Sequence, residues 1–224
     1  MLIPKIKGLK YPDEYFIKFF FKERLHEKTN LKFLEFGCGN GNNLMLPYQY
    51  NNEVIGIDYD KTLISFANEN FNLLKHNQKY SFYSADMREF VKKNNNINAD
   101  ILSLPNIINY ISKIDFINFL KNCKNNKFYR NNSKIFIRFR THRDFRFGLG
   151  NRIDNCCYQI DKDNNTTGEA GALNCFYSGI EMIDILRKYL NLTDYKIFHI
   201  DFENMALNGD TILNSDIVIW GSIN

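Results

Sequence analysis

The residues whose types and spacing most suggest chemistry are an acid and three glycines close to residue 40. They lie in the stretch Glu35-Phe36-Gly37-Cys38-Gly39-Asn40-Gly41, at the end of the apolar, strand-like run 33–36. Glycine is needed where the backbone must take a positive φ or come close to a ligand. A helix can begin at Asn42 or Asn43, so its free N–H groups would face the same pocket as the glycines. This pattern predicts a nucleotide-type cofactor site, and the alternative is a glycine-rich turn without a ligand.

The glycine spacing also indicates which cofactor to expect. Nicotinamide enzymes carry G-x-G-x-x-G, whereas here the order is G-x-G-x-G and Asn42 occupies the place of the third glycine. The stretch resembles motif I, (E/D)-x-G-x-G-x-G, of the class I S-adenosylmethionine-dependent methyltransferases. The resemblance implies S-adenosyl-L-methionine as cofactor and S-adenosyl-L-homocysteine as product, with the acid beside the cationic part of the cofactor. The binding residues that it implies in this turn are Glu35, Gly37, Cys38, Gly39 and Gly41.

A second acid closes the next strand-like run, Val54–Asp58. An acid at that strand end, about twenty residues after the glycine turn, is well placed to hold both hydroxyls of a ribose. Asp58 is therefore predicted to bind the ribose, with Tyr59 positioned to lie against the adenine. Alternatively, Asp58 caps the following helix, although Asp60 fits a cap better.

Two later segments extend the resemblance. Ala85-Asp86-Met87 resembles the third motif of the family, which implies that Asp86 accepts the adenine amino group beside the backbone of Met87. The end of strand four, Leu104-Pro105-Asn106-Ile107, faces the transferred methyl group in this fold, which implies Leu104 at the cofactor and Asn106 at the acceptor. It departs from the (D/N/S)-P-P-(Y/F/W) pattern of enzymes that methylate nucleobase amines. Tyr110 could line the acceptor site as a catalytic residue, although an aromatic at this spacing is more often core.

Strand five, predicted over 134–139, carries charge where a buried strand should be apolar. Arg138 and Arg140 share one face, and Arg143 follows at the strand exit. The guanidinium fork suits bidentate contacts to carboxylate or phosphate, so these arginines predict an anionic acceptor. The alternative is a solvated charge run. His142 is the candidate base for a hydroxyl acceptor, and a surface histidine is the alternative.

Residues 141–176 are unusually long for a structureless connection, which favours a lid or substrate-binding loop. Thr167-Gly168-Glu169 and Phe176-Tyr177 within it are similar to segments of small bacterial methyltransferases encoded with surface-polysaccharide (capsule or O-antigen) genes. That resemblance implies a sugar-precursor substrate and a substrate contact at Tyr177. Before strand one, 15–25 is predicted to be a helix that either caps the cofactor, near Tyr11 and Lys18, or packs on the sheet edge.

Composition narrows the class of protein. The chain has 224 residues, 44% of them hydrophobic, and its net charge of +4 is too small to imply nucleic acid. Five cysteines, an odd number without a C-x-x-C pair, argue for a reducing compartment and against a disulfide framework or a zinc site. No signal peptide or membrane-spanning run is visible, so a cytoplasmic monomer or homodimer is expected.

The predicted fold is α/β: a single domain over 1–224 with a three-layer, Rossmann-like, seven-stranded sheet. The sheet is mostly parallel, and its last strand, around 217–220, is antiparallel. The predicted reaction is O-methylation of a small anionic or phosphorylated metabolite or sugar precursor. An RNA or DNA methyltransferase and a catalytically silent cofactor-binding subunit remain the alternatives.

Overall fold

The computed structural model describes residues 3–74, 76, 78–164 and 166–224. The strands of its central sheet are β1 (Lys32–Phe36), β2 (Glu53–Asp58), β3 (Tyr80–Ser84), β4 (Ala99–Pro105), β5 (Tyr129–Arg140), β9 (Thr193–Met205) and β10 (Thr211–Ile223). A second, small sheet consists of β6 (Asn151–Arg152), β7 (Cys157–Gln159) and β8 (Leu173–Cys175). The α-helices are α1 (Glu14–Lys22), α2 (Asn42–Gln49), α3 (Lys61–Leu74), α4 (Met87–Lys93), α5 (Lys113–Asn125) and α6 (Gly179–Leu190).

The central sheet has the strand order β3-β2-β1-β4-β5-β10-β9. Strands β1 to β5 pair in parallel, whereas β10 is antiparallel to both of its neighbours, β5 and β9. Ile217 lies opposite Phe139, and Ile219 lies opposite Ile137. The predicted seven-stranded sheet with a reversed last strand beside strand five is confirmed.

Helices cover both faces of this sheet. Helices α1, α2 and α3 contribute to one apolar cluster and α4, α5 and α6 to the other. Adjacent residues of one strand enter opposite clusters, since Phe136 packs in the first and Ile135 and Ile137 pack in the second. Burial on both faces explains why the central strands read as continuous apolar runs.

The N-terminal helix packs on a face of the sheet. Asp13 caps α1 by accepting hydrogen bonds from the backbone N–H groups of Tyr15 (2.8 Å) and Phe16 (3.1 Å). The rings of Phe16 and Phe19 lie 5.4 and 5.5 Å from that of Phe136. The sequence correctly predicted where this helix begins. The helix occupies neither of the two positions that were predicted for it, over the cofactor or on the sheet edge, because the aromatic residues of α1 cover β5.

The segment after β5 contains regular structure. Strands β6, β7 and β8 pair antiparallel within 141–176, and Cys157 lies opposite Cys175, with which it forms a disulfide. The sequence did not predict this disulfide. The number and spacing of the cysteines do not indicate which two of them pair. Cys157 and Cys175 come together only through the register of two short strands, β7 and β8.

Helix α2 contains Pro47 and runs from Asn42 to Gln49, close to the helix that the sequence predicts over 43–48, and α4 was not predicted. Among the described residues, no helix combines the length and apolar character needed to cross a bilayer.

Candidate functional site

A cavity of about 680 Å³ lies at the carboxyl ends of β1, β2, β3 and β4. This is the edge at which open α/β sheets bind their ligands. The chain between β7 and β8 forms part of the opposite wall, including 168–170. The predicted site residues that line the cavity are Gly37, Gly39, Asp58, Tyr59, Asp86, Met87, Asn106 and Tyr110.

In the glycine turn, backbone atoms of Gly37 and Gly39 line the cavity without an intervening side chain. Gly37, Gly39 and Gly41 have φ values of 72°, 52° and 77°, a region that side chains disfavour. A Cβ on Gly37 would approach Ile107 to 2.7 Å, whereas a Cβ on Gly39 would meet nothing within 4 Å. The space above Gly39 is therefore open to a ligand, and the backbone there can approach it closely.

Asp58 lies where the turn meets the end of β2. Its carboxylate accepts hydrogen bonds from the backbone N–H groups of Gly39 (2.9 Å) and Asp60 (3.0 Å). Asp60, in turn, caps α3 by accepting from Thr62 (2.7 Å) and Leu63 (3.2 Å). The predicted division between a cap at Asp60 and a cavity-facing acid at Asp58 agrees with this geometry, and the role of Asp58 at a ribose stays a prediction.

Asp86 lines the cavity, and its carboxylate also forms an ion pair with Arg88. It caps α4 by accepting from the backbone of Arg88 (2.7 Å), and the Arg88 side chain pairs with it at 2.6 Å. The hydrogen bonds from Arg88 lower the pKa of Asp86, so the carboxylate is ionised at neutral pH. Arg88 also pairs with Asp115 and was not predicted at the site. Met87 is the first residue of α4, so its N–H lacks an acceptor within the helix.

The far end of the cavity contains Asn106, Tyr110 and Glu169. Asn106 follows β4 with a φ of 56°, an uncommon conformation for a residue with a side chain. The Tyr110 hydroxyl donates to Oε1 of Glu169 (3.1 Å) and accepts from Arg140 (3.1 Å). Glu169 was not predicted at the site, and the available signal was its position between Gly168 and Gly171, two residues suited to a loop.

Glu35 lies beneath the glycine turn rather than in the cavity. Its side chain is 1% exposed and accepts hydrogen bonds from Ser103 Oγ (2.7 Å) and Asn43 Nδ2 (3.3 Å). Burial raises the pKa of Glu35 to about 8, although these hydrogen bonds favour the ionised form. The carboxyl is therefore mostly neutral at pH 7, in contrast to the predicted anionic partner for the cationic part of the cofactor.

The arginines of strand five already form ion pairs with carboxylates of the chain. Their charge is therefore no longer a reason to predict an anionic acceptor. Arg138 pairs with Asp216 (2.6 Å) and with Asp13. The paired carboxylates come from α1 and β10, far away in the sequence, so the sequence pattern did not show them. Arg143 is exposed and pairs with Asp201 at 2.9 Å.

His142 and Tyr177 lie outside the cavity. The His142 Nε2 atom is 3.4 Å from Cys156 Sγ, and burial together with the charge of Lys113 lowers the pKa of His142. Tyr177 is completely buried among core residues, and its hydroxyl has no hydrogen-bond partner within the described part of the chain. The predicted base and the predicted substrate contact are thus both displaced from the site.

Three predicted cofactor residues are core residues. Leu104 is completely buried, and the Cys38 side chain is 1% exposed, pointing toward Gly56 of β2 rather than the cavity. Gly41 starts α2, and a Cβ there would approach Phe71 to 2.9 Å, so its role is close packing. Cys38 and Leu104 are each adjacent to a residue that lines the cavity, Gly39 and Pro105 respectively, and their own side chains are buried in the core.

Tyr11 and Lys18 also lie outside the cavity. Tyr11 is 65% exposed, and Lys18 pairs with Glu14 on α1. The chain that precedes α1 instead crosses the glycine turn, where Asn40 Nδ2 donates to the carbonyls of Lys7 (2.7 Å) and Leu9 (2.8 Å). This contact was not predicted, and nothing in the local sequence indicates it.

The residues present fit S-adenosylmethionine. The open space above Gly39, the carboxylate of Asp58 and the exposed Tyr59 ring provide a backbone cradle, a hydroxyl acceptor and a flat surface along one wall. Asp86 and the first turn of α4 supply an acceptor and a donor beside them. These groups would hold the ribose and the adenine.

Comparisons with known proteins agree with this fit. A family model described as a methyltransferase domain matches residues 27–136. A SAM-dependent methyltransferase from Methanosarcina mazei has 14% identity and a TM-score of 0.63, covering 89% of this chain and 96% of its own. One from Archaeoglobus fulgidus has 15% identity and a TM-score of 0.60, covering 97% and 96%. Magnesium protoporphyrin IX methyltransferase from Synechocystis PCC 6803, solved with bound SAM, has 10% identity and a TM-score of 0.58, covering 94% and 77%.

These structural similarities, at such low identities, establish the fold. None of the curated proteins matches the chain. The matched domain covers the glycine turn, Asp58 and Asp86, the residues that line the cofactor end of the cavity. Residues 27–136 thus match a methyltransferase domain, the chain has the Rossmann-like fold of class I S-adenosylmethionine-dependent methyltransferases, and S-adenosylmethionine is its cofactor.

Proposed function

We propose that the protein transfers a methyl group from S-adenosylmethionine to a hydroxyl oxygen of a small metabolite. The observation that carries this proposal is that one cavity joins two sets of groups. Gly39, Asp58 and Asp86 line its cofactor end, and Tyr110 and Glu169 line its other end. A cavity of about 680 Å³ has the volume of a small-molecule site, and a small acceptor beside the cofactor fits it.

When bound, S-adenosylmethionine supplies an electrophilic methyl group. The protein contributes orientation, and holding reactants in line can lower a barrier by about 7–11 kcal/mol. The Tyr110 hydroxyl donates to Glu169 and accepts from Arg140, which leaves one lone pair for the hydroxyl of an acceptor. As the acceptor oxygen is methylated, its proton would pass to Tyr110 Oη while the Tyr110 proton passes to Glu169 and from there to solvent, which restores the carboxylate beside Arg140. Tyr110 is therefore the proposed catalytic residue in place of His142.

The acceptor is proposed to be a sugar or a related polyhydroxyl metabolite. This part rests on the sequence resemblance of 167–169 and 176–177 to methyltransferases of surface-polysaccharide gene clusters, and the capsule pathway stays a prediction. The segment 141–176 would act as the substrate loop, because 168–170 and 172–173 line the cavity. A cytoplasmic monomer or homodimer remains the expected state.

The experiment is a transfer assay with methyl-labelled S-adenosylmethionine. Glucose, mannose and N-acetylglucosamine are offered beside their phosphates and beside total RNA. The proposal expects label in a methyl ether that withstands mild base. Label in a base-labile methyl ester or in RNA would contradict it, and cofactor binding without transfer to any small molecule would favour the silent-subunit alternative.

A further inference from the structure

Glu169 is held at the acceptor end of the cavity by four side chains. Arg140 donates to both carboxylate oxygens, from Nη1 to Oε2 at 2.8 Å and from Nη2 to Oε1 at 2.6 Å. Asn174 donates to Oε2 (3.1 Å), Tyr110 donates to Oε1 (3.1 Å), and Arg146 Nε lies 3.4 Å from Oε1. Glu169 itself lines the cavity, so it stands between these partners and any bound acceptor.

Arg140 depends on this carboxylate for its charge balance. Its side chain is 10% exposed, and Glu169 is the carboxylate that it contacts. Asn174, the other partner of Nη1, is neutral and completely buried. A buried guanidinium without an anionic partner is strongly unfavourable, so the site demands an anion at this position. Glu169 supplies that anion from within the chain.

The remaining charges that line the cavity do not attract anions. Among its described lining residues the carboxylates are Asp58, Asp60, Asp86 and Glu169, whereas the cationic side chain is Arg88. Arg88 is already paired with Asp86 and Asp115. An acidic wall of this kind repels a phosphate or carboxylate and leaves hydrogen-bond acceptors for hydroxyl groups.

We propose that Glu169 is a specificity-determining residue: it occupies the guanidinium of Arg140, so the acceptor end rejects anionic molecules and accepts neutral, hydroxyl-bearing ones. This inference rests on the proposed function, since it names the acceptor class of the same cavity. It reverses the sequence-based prediction of an anionic acceptor. The Arg140 guanidinium makes the predicted bidentate contact to a carboxylate, but that carboxylate belongs to Glu169 of the chain itself rather than to an acceptor.

The test removes the carboxylate and asks whether an external anion takes its place. Glu169→Ala leaves Arg140 beside an enlarged cavity, and Glu169→Gln keeps the side-chain volume without the charge. Glu27→Ala is the matched control, because it breaks the exposed Arg24–Glu27 pair and changes the net charge equally. Inorganic phosphate and acetate are titrated calorimetrically into each protein, with and without S-adenosylhomocysteine. Thermal unfolding is compared in sodium acetate and in sodium chloride of equal ionic strength.

The inference expects no phosphate binding to the wild type or to Glu27→Ala. Glu169→Ala should bind both phosphate and acetate with an affinity at least roughly tenfold above the detection limit that the wild type does not reach, and acetate should raise the unfolding temperature of Glu169→Ala above that in chloride. Glu169→Gln should gain phosphate affinity to a smaller extent. Phosphate binding by the wild type, or no gain in either Glu169 variant, would overturn the inference. S-adenosylhomocysteine is also titrated into each protein, and because this titration reports on the cofactor site alone, a failure of the proposed function is distinguishable.

Discussion

Glu35 is a carboxyl group that the fold removes from water and holds with two neutral hydrogen-bond donors. The pKa of Glu35 is raised to about 8 by burial, whereas its ordinary value is 4.5. Between these pH values the folded state keeps a proton that the unfolded state has released. The free energy of unfolding of the wild type should therefore fall as the pH rises through this window.

Glu35→Gln should remove this pH dependence. Glutamine cannot ionise, so the variant should gain stability relative to the wild type between pH 5 and pH 8, by about 1.4 kcal/mol per pKa unit at most. Urea unfolding of both proteins at the two pH values measures the difference. The exposed Glu203→Gln serves as control. Parallel stability profiles for the wild type and Glu35→Gln would contradict a buried, neutral Glu35.

Tyr110→Phe should slow methyl transfer while leaving the cofactor site intact. Loss of the hydroxyl interrupts the path from the acceptor to Glu169, and a positioned acid–base group is worth roughly 10²-fold or more in kcat. Affinity for S-adenosylhomocysteine should be unchanged. Tyr129→Phe is the control, because that hydroxyl lies at the start of β5, away from the cavity. An unchanged kcat in Tyr110→Phe would remove Tyr110 from the reaction.

At the scale of single residues, the sequence predicted the cofactor end of the cavity better than the acceptor end. Asp58 ends β2, and Gly39 and Asp86 lie shortly after β1 and β3, so strand order alone places them at one edge. The acceptor end depends on partners from distant parts of the chain. Arg138 reads as a free cation until α1 and β10 supply Asp13 and Asp216.

At the scale of elements, the small sheet β6-β7-β8 is fastened by the disulfide between Cys157 and Cys175. The three free cysteines are Cys38, Cys123 and Cys156. Purified protein unfolded without reductant should therefore release three titratable thiols, and five after reduction. Reduction should destabilise the protein by about 3 kcal/mol, as expected for a loop of this length. Five thiols before reduction would show that the pair is not formed.

Asn40 and Asn70 together hold the chain before α1 in place beside the glycine turn. Asn40→Ala removes the donors to Lys7 and Leu9 and should weaken this contact by about 1–3 kcal/mol. Limited trypsin digestion should then cut after Lys7 and Lys10 before any other site. Asn68→Ala is the control, since Asn68 bonds within its own helix. Equal cleavage rates in the two variants would contradict this role.

The strands of the central sheet were predicted well, and the short strands that follow β5 were not. Strands β1, β2, β4 and the last strand have continuous apolar stretches because helices cover both sheet faces. Strands β6, β7 and β8 are two or three residues long and carry no period that a sequence pattern can show. Their pairing, and with it the position of Glu169, follows from tertiary contacts.

At the scale of the whole molecule, the sheet order brings four strand ends to one edge and places the cofactor groups there. The chain after β5 then returns over this edge and contributes Glu169, while the chain before α1 crosses the glycine turn. The cavity is thus assembled from segments spread over most of the sequence. Its cofactor end follows from the order of the strands, and its acceptor end follows from the returning loop.

The central claim is that this edge binds S-adenosylmethionine through Asp58. The most direct measurement is isothermal titration of the wild type, Asp58→Ala and the exposed-site control Asp184→Ala with S-adenosylhomocysteine, with NAD as a second ligand. Hydrogen bonds to a charged group contribute about 1.5–3 kcal/mol each, so Asp58→Ala should bind roughly 100-fold more weakly than the wild type. Asp184→Ala should match the wild type, and NAD should not bind. Equal affinity in Asp58→Ala, or tighter binding of NAD, would contradict the account.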